Sequence, residues 1–327
     1  MDDMRKPFKH DFAFDPTYGY NLNQLMQVGA AEEPQDFVTF WRRKYRRATH
    51  VQTHLSLQDT GRVENGWRVF DCYYDSTKGM RIGGWLLLPE KQPVYGAMVY
   101  AHGYGGLTAP DTSWKLDNTA ILMPCVRGIG RSPQHSVSSD PYWHVLHHVQ
   151  DKQQYIIAGC VQDLWCGVSA LLTLFPQTKN HIGFVGESLG GGLGVLASAF
   201  DSRLSLSHFH VPTFGNTELR LNMPCVGSTQ ALIEFKDQAA LKATLPYFDT
   251  SIAAKYLSYP TLWGLARFDP FVAPPGQFSA YNACPKDKEL YVLDAGHFDY
   301  PDENKQKKMM RKEVEMFLQP LGASHAS

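Results

Sequence analysis

The residues best suited to chemistry lie between Ile182 and Gly192, where a short apolar stretch runs into Gly-x-Ser-x-Gly. This pattern is typical of a sharp strand-to-helix turn that exposes a serine nucleophile, here Ser188. The turn needs small residues two positions before and two positions after the serine, and Gly186 and Gly190 occupy them. The glycine-rich stretch that follows predicts a helix whose N-terminus favours developing negative charge at the site. A chance motif in a chain with 27 glycines is the competing interpretation, which the flanking strand and helix disfavour.

A serine nucleophile requires a general base and an acid that orients this base. The stretch 259–266 predicts an apolar strand followed by Asp269, and 289–293 predicts another followed by His297. Both side chains then lie just beyond the C-terminal ends of strands, where open α/β sheets place their sites. We predict that His297 accepts the proton of Ser188 and that Asp269 fixes the imidazole. A surface position for His297, one of 13 histidines, is the alternative for that residue.

Three carboxylates are candidates for the acid. Asp294 and Asp299 lie closer to His297 in sequence than Asp269 does. Both, however, belong to the histidine's own loop and would have to fold back to reach the ring. Asp269 follows a separate strand, so its loop is able to approach the imidazole from the side opposite Ser188. We therefore favour Asp269.

Cleavage of an ester also requires two donors for the oxyanion. One is the backbone N–H after the nucleophile, which belongs to Leu189. The second should come from the loop after an earlier strand, and the glycine-rich stretch 102–106 follows the apolar run 96–101. We predict that the backbone N–H of Tyr104 is this donor. A simple glycine-rich turn is the alternative for the loop.

Strand-like and helix-like segments alternate along the chain, which predicts a mostly parallel central sheet with helices on both faces. Residues 1–55 form a predicted N-terminal helical arm, and 56–327 form a single α/β domain with a helical, cap-like insertion at about 216–258. A hairpin over 67–88 is the expected antiparallel edge, residues 132–151 are an expected loop, and 154–175 an expected long helix.

The N-terminal arm carries aromatic residues at helical spacing beside basic ones, and packing on the main domain is favoured over membrane or nucleic-acid binding. The aromatic residues are Phe37, Phe40, Trp41 and Tyr45.

The bulk composition excludes several classes of partner. The 327 residues include 31 basic and 32 acidic ones, a net charge of −1, so no strong field recruits nucleic acid or an anionic membrane. We expect no signal peptide and no apolar run long enough to span a bilayer.

The six scattered cysteines indicate reduced core thiols and a cytoplasmic protein. No cofactor is expected. The histidines at 144, 147, 148, 208 and 210 lack acidic or cysteine partners, so structural roles are favoured over metal binding.

Together these motifs resemble the acetyl xylan esterase and cephalosporin-C deacetylase family, carbohydrate esterase family seven. The resemblance runs from about Phe37 and includes His-Gly-Tyr at 102–104, Arg-Gly-x-Gly at 127–130, the serine turn with its three following glycines, and Gly-His at 296–297. It implies an α/β-hydrolase fold, a triad of Ser188, His297 and Asp269, backbone donors at Tyr104 and Leu189, and no metal or cofactor. Members often form hexamers, so a homo-oligomer is a candidate assembly.

Three positions depart from the family pattern. Leu189 stands where the family usually has glutamine, Ile129 where it has glutamine in Arg-Gly-Gln, and Phe298 where it has glutamate after Gly-His. A backbone donor at Leu189 is unaffected by the first change. The other two side chains are associated in the family with structure and assembly.

Three functions are consistent with the sequence. The first is a serine esterase that removes acetyl groups from sugars or similar small esters. The second is another hydrolase of the same fold, such as a thioesterase or peptidase, because one fold supports many chemistries. The third is an inactive ligand-binding protein, which the intact serine, acid and histidine disfavour.

Overall fold

The computed structural model describes residues 8–285 and 287–324, so the first seven residues of the arm, on which the signal-peptide expectation largely falls, lie outside the described residues. The described residues form one nine-stranded sheet with the order β1-β2-β3-β5-β4-β6-β7-β8-β9. Its strands are β1 Ser56–Glu64, β2 Trp67–Asp75, β3 Arg81–Pro89, β4 Gly96–Ala101, β5 Thr119–Pro124, β6 Ile182–Glu187, β7 Leu204–His210, β8 Thr261–Ala266 and β9 Lys288–Leu293. The first three strands run antiparallel at one edge, and the other six are parallel to one another.

Helices connect most of the parallel strands and cover the sheet, whereas β4 and β5 are joined by a loop. The described α-helices are α1 Leu22–Leu25, α2 Phe37–Thr49, α3 Pro141–Leu146, α4 Ile156–Leu174, α5 Leu189–Ser198, α6 Thr217–Arg220, α7 Thr229–Glu234, α8 Gln238–Thr244, α9 Thr250–Ala253, α10 Pro274–Ala283 and α11 Glu303–Leu318. The four helices α6 to α9 lie in the insertion between β7 and β8 that the sequence predicts as a cap.

The sheet separates two hydrophobic cores, one on each face, because successive side chains of a strand point to opposite faces. Phe184 of β6 belongs to one core with Trp165 of α4, whereas its neighbour Val185 belongs to the other with Met310 of α11. Both faces of the parallel strands are therefore buried under helices, and the predicted α/β architecture is confirmed. All six cysteines are free and buried.

Helix α2 packs its aromatic face into the protein. Phe37, Phe40 and Trp41 are buried, and the Trp41 indole N–H donates a hydrogen bond of 2.7 Å to the Tyr247 carbonyl oxygen in the insertion. The basic side chains of Arg46 and Arg47 near the end of α2 are exposed, whereas Lys44 is buried and its ammonium group donates a hydrogen bond of 2.7 Å to the Gln153 carbonyl oxygen. The aromatic stripe of the arm is thus a packing surface.

Two elements differ from the sequence-based expectation. The sequence does not indicate strand β1, because six of its nine residues are polar and none is buried, so the apolar alternation of a half-buried strand is missing. The segment 132–151 was predicted as a loop, yet it contains α3. The Asp140 carboxylate caps this helix by accepting from the Tyr142 N–H, and Pro141 occupies its first turn.

Helix α4 corrects the expectation that no apolar run is long enough to span a bilayer. Its 19 residues meet that criterion by length and composition, and within the described residues it is the only such helix. However, 83% of its most apolar window is buried inside the protein, where it packs under the sheet as core helices do.

Candidate active site

Ser188 occupies the sharp turn between β6 and α5. Its backbone has φ 54° and ψ −110°, a strained conformation for a non-glycine residue and one that costs about 1–3 kcal/mol. A Cβ atom at Gly186 would overlap the carbonyl oxygen of Gly190, and a Cβ atom at Gly190 would overlap that of Ala101. Glycine at both positions is therefore a steric requirement of the turn that presents the Ser188 hydroxyl.

Hydrogen bonds join three of the predicted residues in one line. His297 Nε2 lies 2.9 Å from Ser188 Oγ, and His297 Nδ1 lies 2.8 Å from Asp269 Oδ2. A carboxylate only accepts, so we assign the ring proton to Nδ1, which leaves Nε2 to accept from the serine hydroxyl. The Asp294 carboxylate instead accepts from Gln306 Nε2 at 2.6 Å, and Asp299 is exposed. The structure thus brings Asp269, rather than either acid of the histidine loop, to the imidazole.

The Asp269 carboxylate is fully buried and accepts four hydrogen bonds. Oδ1 accepts from the backbone N–H groups of Phe271 and Val272, both at 2.9 Å. Oδ2 accepts from His297 and from Gln277 Nε2 at 3.1 Å. Gln277 is fully buried on α10 and was not predicted, because a lone glutamine in a helix after a strand carries no sequence signal of this role. It is a positioning residue for the acid.

Two opposing effects act on the pKa of His297. Burial, the largest of them, lowers it, but the Asp269 carboxylate raises it by charge and by hydrogen bonding. Glu187 raises it further, and the net result is a pKa above the ordinary value. An imidazole with this bias is well suited to accept a proton from a hydroxyl group.

The glycine-rich loop after β4 lies directly against Ser188. A Cβ atom at Gly103 would stand 3.5 Å from the Cβ atom of Ser188, and Tyr104 and Leu189 both line the same cavity as Ser188. The Tyr104 hydroxyl is 3.2 Å from Nδ1 of the buried His144. These contacts place both predicted oxyanion residues beside the serine.

A buried network holds the loop of Tyr104 from behind. His144 Nε2 donates to the Arg127 carbonyl oxygen at 3.1 Å, and burial lowers the pKa of His144 to about 4, so its imidazole is neutral. The Arg127 guanidinium makes a bidentate ion pair with the fully buried Asp163, with Nη2 2.6 Å from Oδ1. The Arg-Gly-x-Gly motif therefore supports the glycine-rich loop through His144.

Among residues 8–285 and 287–324 no three His, Cys, Asp or Glu side chains are grouped to hold a metal ion.

The serine opens into a cavity of about 670 Å³. The insertion forms one wall with residues 225–228, and the start of α3 forms another with Tyr142. The Tyr142 hydroxyl donates a hydrogen bond of 2.7 Å to Glu234 of α7, which ties these two walls together. Phe271, which follows the acid, forms a third wall and stacks on the His297 ring with 5.4 Å between centroids. The walls leave room for a small substrate.

A mostly parallel sheet with helices on both faces, a serine at a strand-to-helix turn, and a histidine and an acid after later strands define the α/β-hydrolase class. The chain belongs to the acetyl xylan esterase family, whose model matches residues 18–316. It is accordingly a carboxylic ester hydrolase, and the resemblance drawn from its motifs is confirmed.

Solved structures show the same fold. The acetyl xylan esterase of Paenibacillus sp. R4 superimposes with a TM-score of 0.78 at 22% identity, over 90% of this chain and 99% of that one. Acetyl xylan esterase 1 of Thermoanaerobacterium sp. JW/SL YS485 gives 0.78 at 18% identity, over 95% and 100%. An acylaminoacyl peptidase of Pyrococcus horikoshii gives 0.59 at 13% identity, over 85% of this chain and 49% of that one. The fold is thus common to esterases and peptidases.

Proposed function

We propose that this protein is a serine esterase that removes acetyl groups from sugars or related small alcohols through an acyl-enzyme. The observation that carries the proposal is the hydrogen-bonded line from Ser188 through His297 to the buried Asp269. In this assignment Ser188 is the nucleophile, His297 the general base and acid, and Asp269 the group that orients the imidazole and stabilises its charged form.

In the first step, Ser188 Oγ bonds to the acetyl carbonyl carbon while His297 Nε2 takes the hydroxyl proton. The carbonyl electron pair moves onto oxygen, and the backbone N–H groups of Tyr104 and Leu189 are the proposed donors to this oxyanion. The bond between the carbonyl carbon and the alcohol oxygen then breaks. The alcohol leaves with the proton from His297, and acetyl-Ser188 remains.

In the second step, water attacks the acetyl-Ser188 carbonyl carbon and gives a proton to His297. The same two backbone donors stabilise the second oxyanion. The bond to Oγ then breaks, and Ser188 recovers its proton from His297. Acetic acid is released and the enzyme returns to its starting state, so no metal, cofactor or second reactant besides water enters the balance.

A preference for short acyl groups is part of the proposal. Bulky side chains line the cavity into which the serine opens, among them Leu107, Tyr142 and Phe271. A pocket of this kind excludes longer acyl chains by steric clash. The two acetyl xylan esterases that share the fold are named for acetylated xylan, which supports a sugar as the alcohol.

The test combines active-site labelling with a substrate panel. A fluorophosphonate probe should label the wild type and Ser228→Ala, a cavity serine without an imidazole partner, but leave Ser188→Ala unlabelled. Ser188→Ala should lose activity on p-nitrophenyl acetate by a factor on the order of 10³ or more with an unchanged melting temperature. The panel adds p-nitrophenyl octanoate, an acetyl thioester and peptide amides. Faster turnover of octanoate would contradict the short-acyl preference, whereas faster turnover of thioester or amide would favour the thioesterase or peptidase alternative.

A further inference from the structure

The residue immediately before the nucleophile carries a carboxylate into the catalytic cavity. Glu187 ends β6, lines the cavity beside Ser188, and has a side chain that is 46% exposed. Its charge reaches the catalytic imidazole, because Glu187 contributes to the raised pKa of His297. The turn that exposes Ser188 therefore also holds a negative charge next to the position that a substrate occupies.

No permanently charged cation compensates Glu187 within the cavity, and the Tyr100 hydroxyl that hydrogen-bonds to it carries no charge, because burial and Glu187 raise the pKa of Tyr100. Among the described residues that line the cavity there is no lysine or arginine. Nδ1 of His210 is 3.9 Å from the Glu187 carboxylate, and burial lowers the pKa of His210, so this ring is neutral. Asp140, at the start of α3, adds a second carboxylate to the wall. With His297 neutral, as it must be to accept the serine proton, the cavity consequently carries a net negative charge.

Two cations outside the cavity affect the pKa values of groups that line it, but both form ion pairs with other acids. The charge of Arg311 lowers the pKa of Tyr100, and its guanidinium has ion pairs of 2.7 Å with Asp111 and 3.2 Å with Glu315. The charge of Lys307 lowers the pKa of His297, and its ammonium group has an ion pair of 2.6 Å with Glu303. The field of Glu187 is therefore available to a substrate.

Aromatic rings face the same space. Tyr100, Tyr142 and Phe271 line the cavity, and Phe271 is 40% exposed. Aromatic faces attract ammonium groups, and a nearby carboxylate adds to this attraction. Aromatic rings together with a carboxylate that no lysine or arginine of the cavity compensates form a surface suited to a cationic group.

We propose that Glu187 is a specificity-determining residue that makes this esterase prefer acetyl esters whose alcohol carries an ammonium group over neutral or anionic esters of the same shape. The proposal rests on the proposed esterase function and specifies the substrate class of that site. The acetyl group binds at Ser188 in every case, and Glu187 acts on the alcohol part.

The test compares three acetyl esters: acetylcholine, its neutral isostere 3,3-dimethylbutyl acetate, and anionic 3-acetoxypropane-1-sulfonate. At low ionic strength the wild type should give a kcat/KM for the cation about threefold to tenfold above that for the isostere, as expected for partly exposed charge and cation–π contacts. The anion should give the lowest value. At about 1 M salt, where the Debye length is about 3 Å, the preference should shrink.

Glu187→Gln should bring the cation-to-isostere ratio to within about twofold of unity, whereas the matched control Glu218→Gln, an exposed acid outside the cavity, should keep the wild-type ratio. The ratio within one variant cancels any common change in catalytic power. A wild-type ratio near one, or a ratio that survives Glu187→Gln, would overturn the proposal.

A binding measurement keeps the proposal separate from the esterase assignment. Calorimetry measures the affinities of choline and 3,3-dimethylbutanol for Ser188→Ala, and so compares a cationic with a neutral alcohol in the absence of turnover. Choline should bind more tightly than the neutral alcohol, and the double variant Ser188→Ala, Glu187→Gln should lose the difference. Equal binding of the two alcohols would overturn charge selection, whereas absence of hydrolysis of all three esters by the wild type would contradict the esterase function alone.

Discussion

The backbone N–H of Asp269 donates a hydrogen bond of 3.1 Å to the carbonyl oxygen of Pro16. The acid of the proposed triad is therefore held by the beginning of the chain as well as by its own turn. We call residues 8–18 the N-terminal strap. Its Tyr18 hydroxyl donates a hydrogen bond of 2.7 Å to the Pro224 carbonyl oxygen in the insertion, so the strap joins the acid loop to a wall of the cavity.

The strap also packs on the histidine loop. The Phe8 ring lies 5.1 Å from that of Phe268, the residue before the acid, and 5.6 Å from that of Phe298, the residue after the histidine. Phe12 lies 6.1 Å from Phe298. The phenylalanine at 298, which departs from the family pattern, thus belongs to an aromatic cluster that connects the loops of Asp269 and His297 to the strap.

The double variant Phe8→Ala, Phe12→Ala should lower the free energy of unfolding by roughly 2–4 kcal/mol, because two half-buried rings lose their contacts. It should also lower kcat more than it raises KM, since the strap contacts the acid and histidine loops. Denaturant unfolding and kinetics on p-nitrophenyl acetate measure both effects. Lys9→Ala, an exposed neighbour, is the control, and an unchanged kcat in the double variant would show that the strap does not position the catalytic loops.

Asp269→Asn should lower kcat on an acetyl ester by a factor on the order of 10⁴, because an amide in place of the carboxylate leaves the imidazole in the wrong tautomer. Asp294→Asn should have a far smaller effect, since the Asp294 carboxylate binds Gln306. Steady-state kinetics of the two variants decide between the acids. A mild effect at 269 beside a severe one at 294 would mean that the acid is wrongly assigned.

The kcat/KM should fall as the pH is lowered through the pKa of His297, because only the neutral imidazole accepts the serine proton. The pKa of His297 is raised, so the midpoint of this acid limb should lie above the ordinary value of 6.5. Glu187→Gln removes one of the charges that raise it and should move the midpoint to lower pH. A pH–rate profile on neutral p-nitrophenyl acetate measures this shift, with Glu218→Gln as control. A midpoint that rises in Glu187→Gln would contradict the assigned interaction.

Gly190→Ala should abolish most of the activity and lower the yield of folded protein, because the added Cβ atom overlaps the Ala101 carbonyl oxygen in a neighbouring strand. Gly29→Ala is the matched control: no atom lies within 4 Å of its added Cβ atom, so stability should change by no more than about 0.5 kcal/mol. Thermal unfolding and ester kinetics test both variants. Full activity in Gly190→Ala would show that the turn tolerates a side chain.

The sequence by itself determined the features that depend on near neighbours. The glycines two positions before and after Ser188 are needed by the turn itself, so the motif predicts the turn wherever it occurs. The parallel sheet was predictable because apolar strands alternate with helices, and His297 and Asp269 could be placed at one edge because parallel strands end there. The polar strand β1 and the short helix α3 lack such periodic patterns and were missed.

Only the tertiary structure decided which groups meet across that edge. Three carboxylates were candidates for the histidine, and packing of separate loops brought Asp269 to the ring while Asp294 bound to α11. Gln277, the strap contact at Pro16 and the exposure of Glu187 to the cavity were likewise unreadable from the chain. Each depends on contacts between segments far apart in sequence, for which no local spacing rule exists, and the fold alone sets their distances.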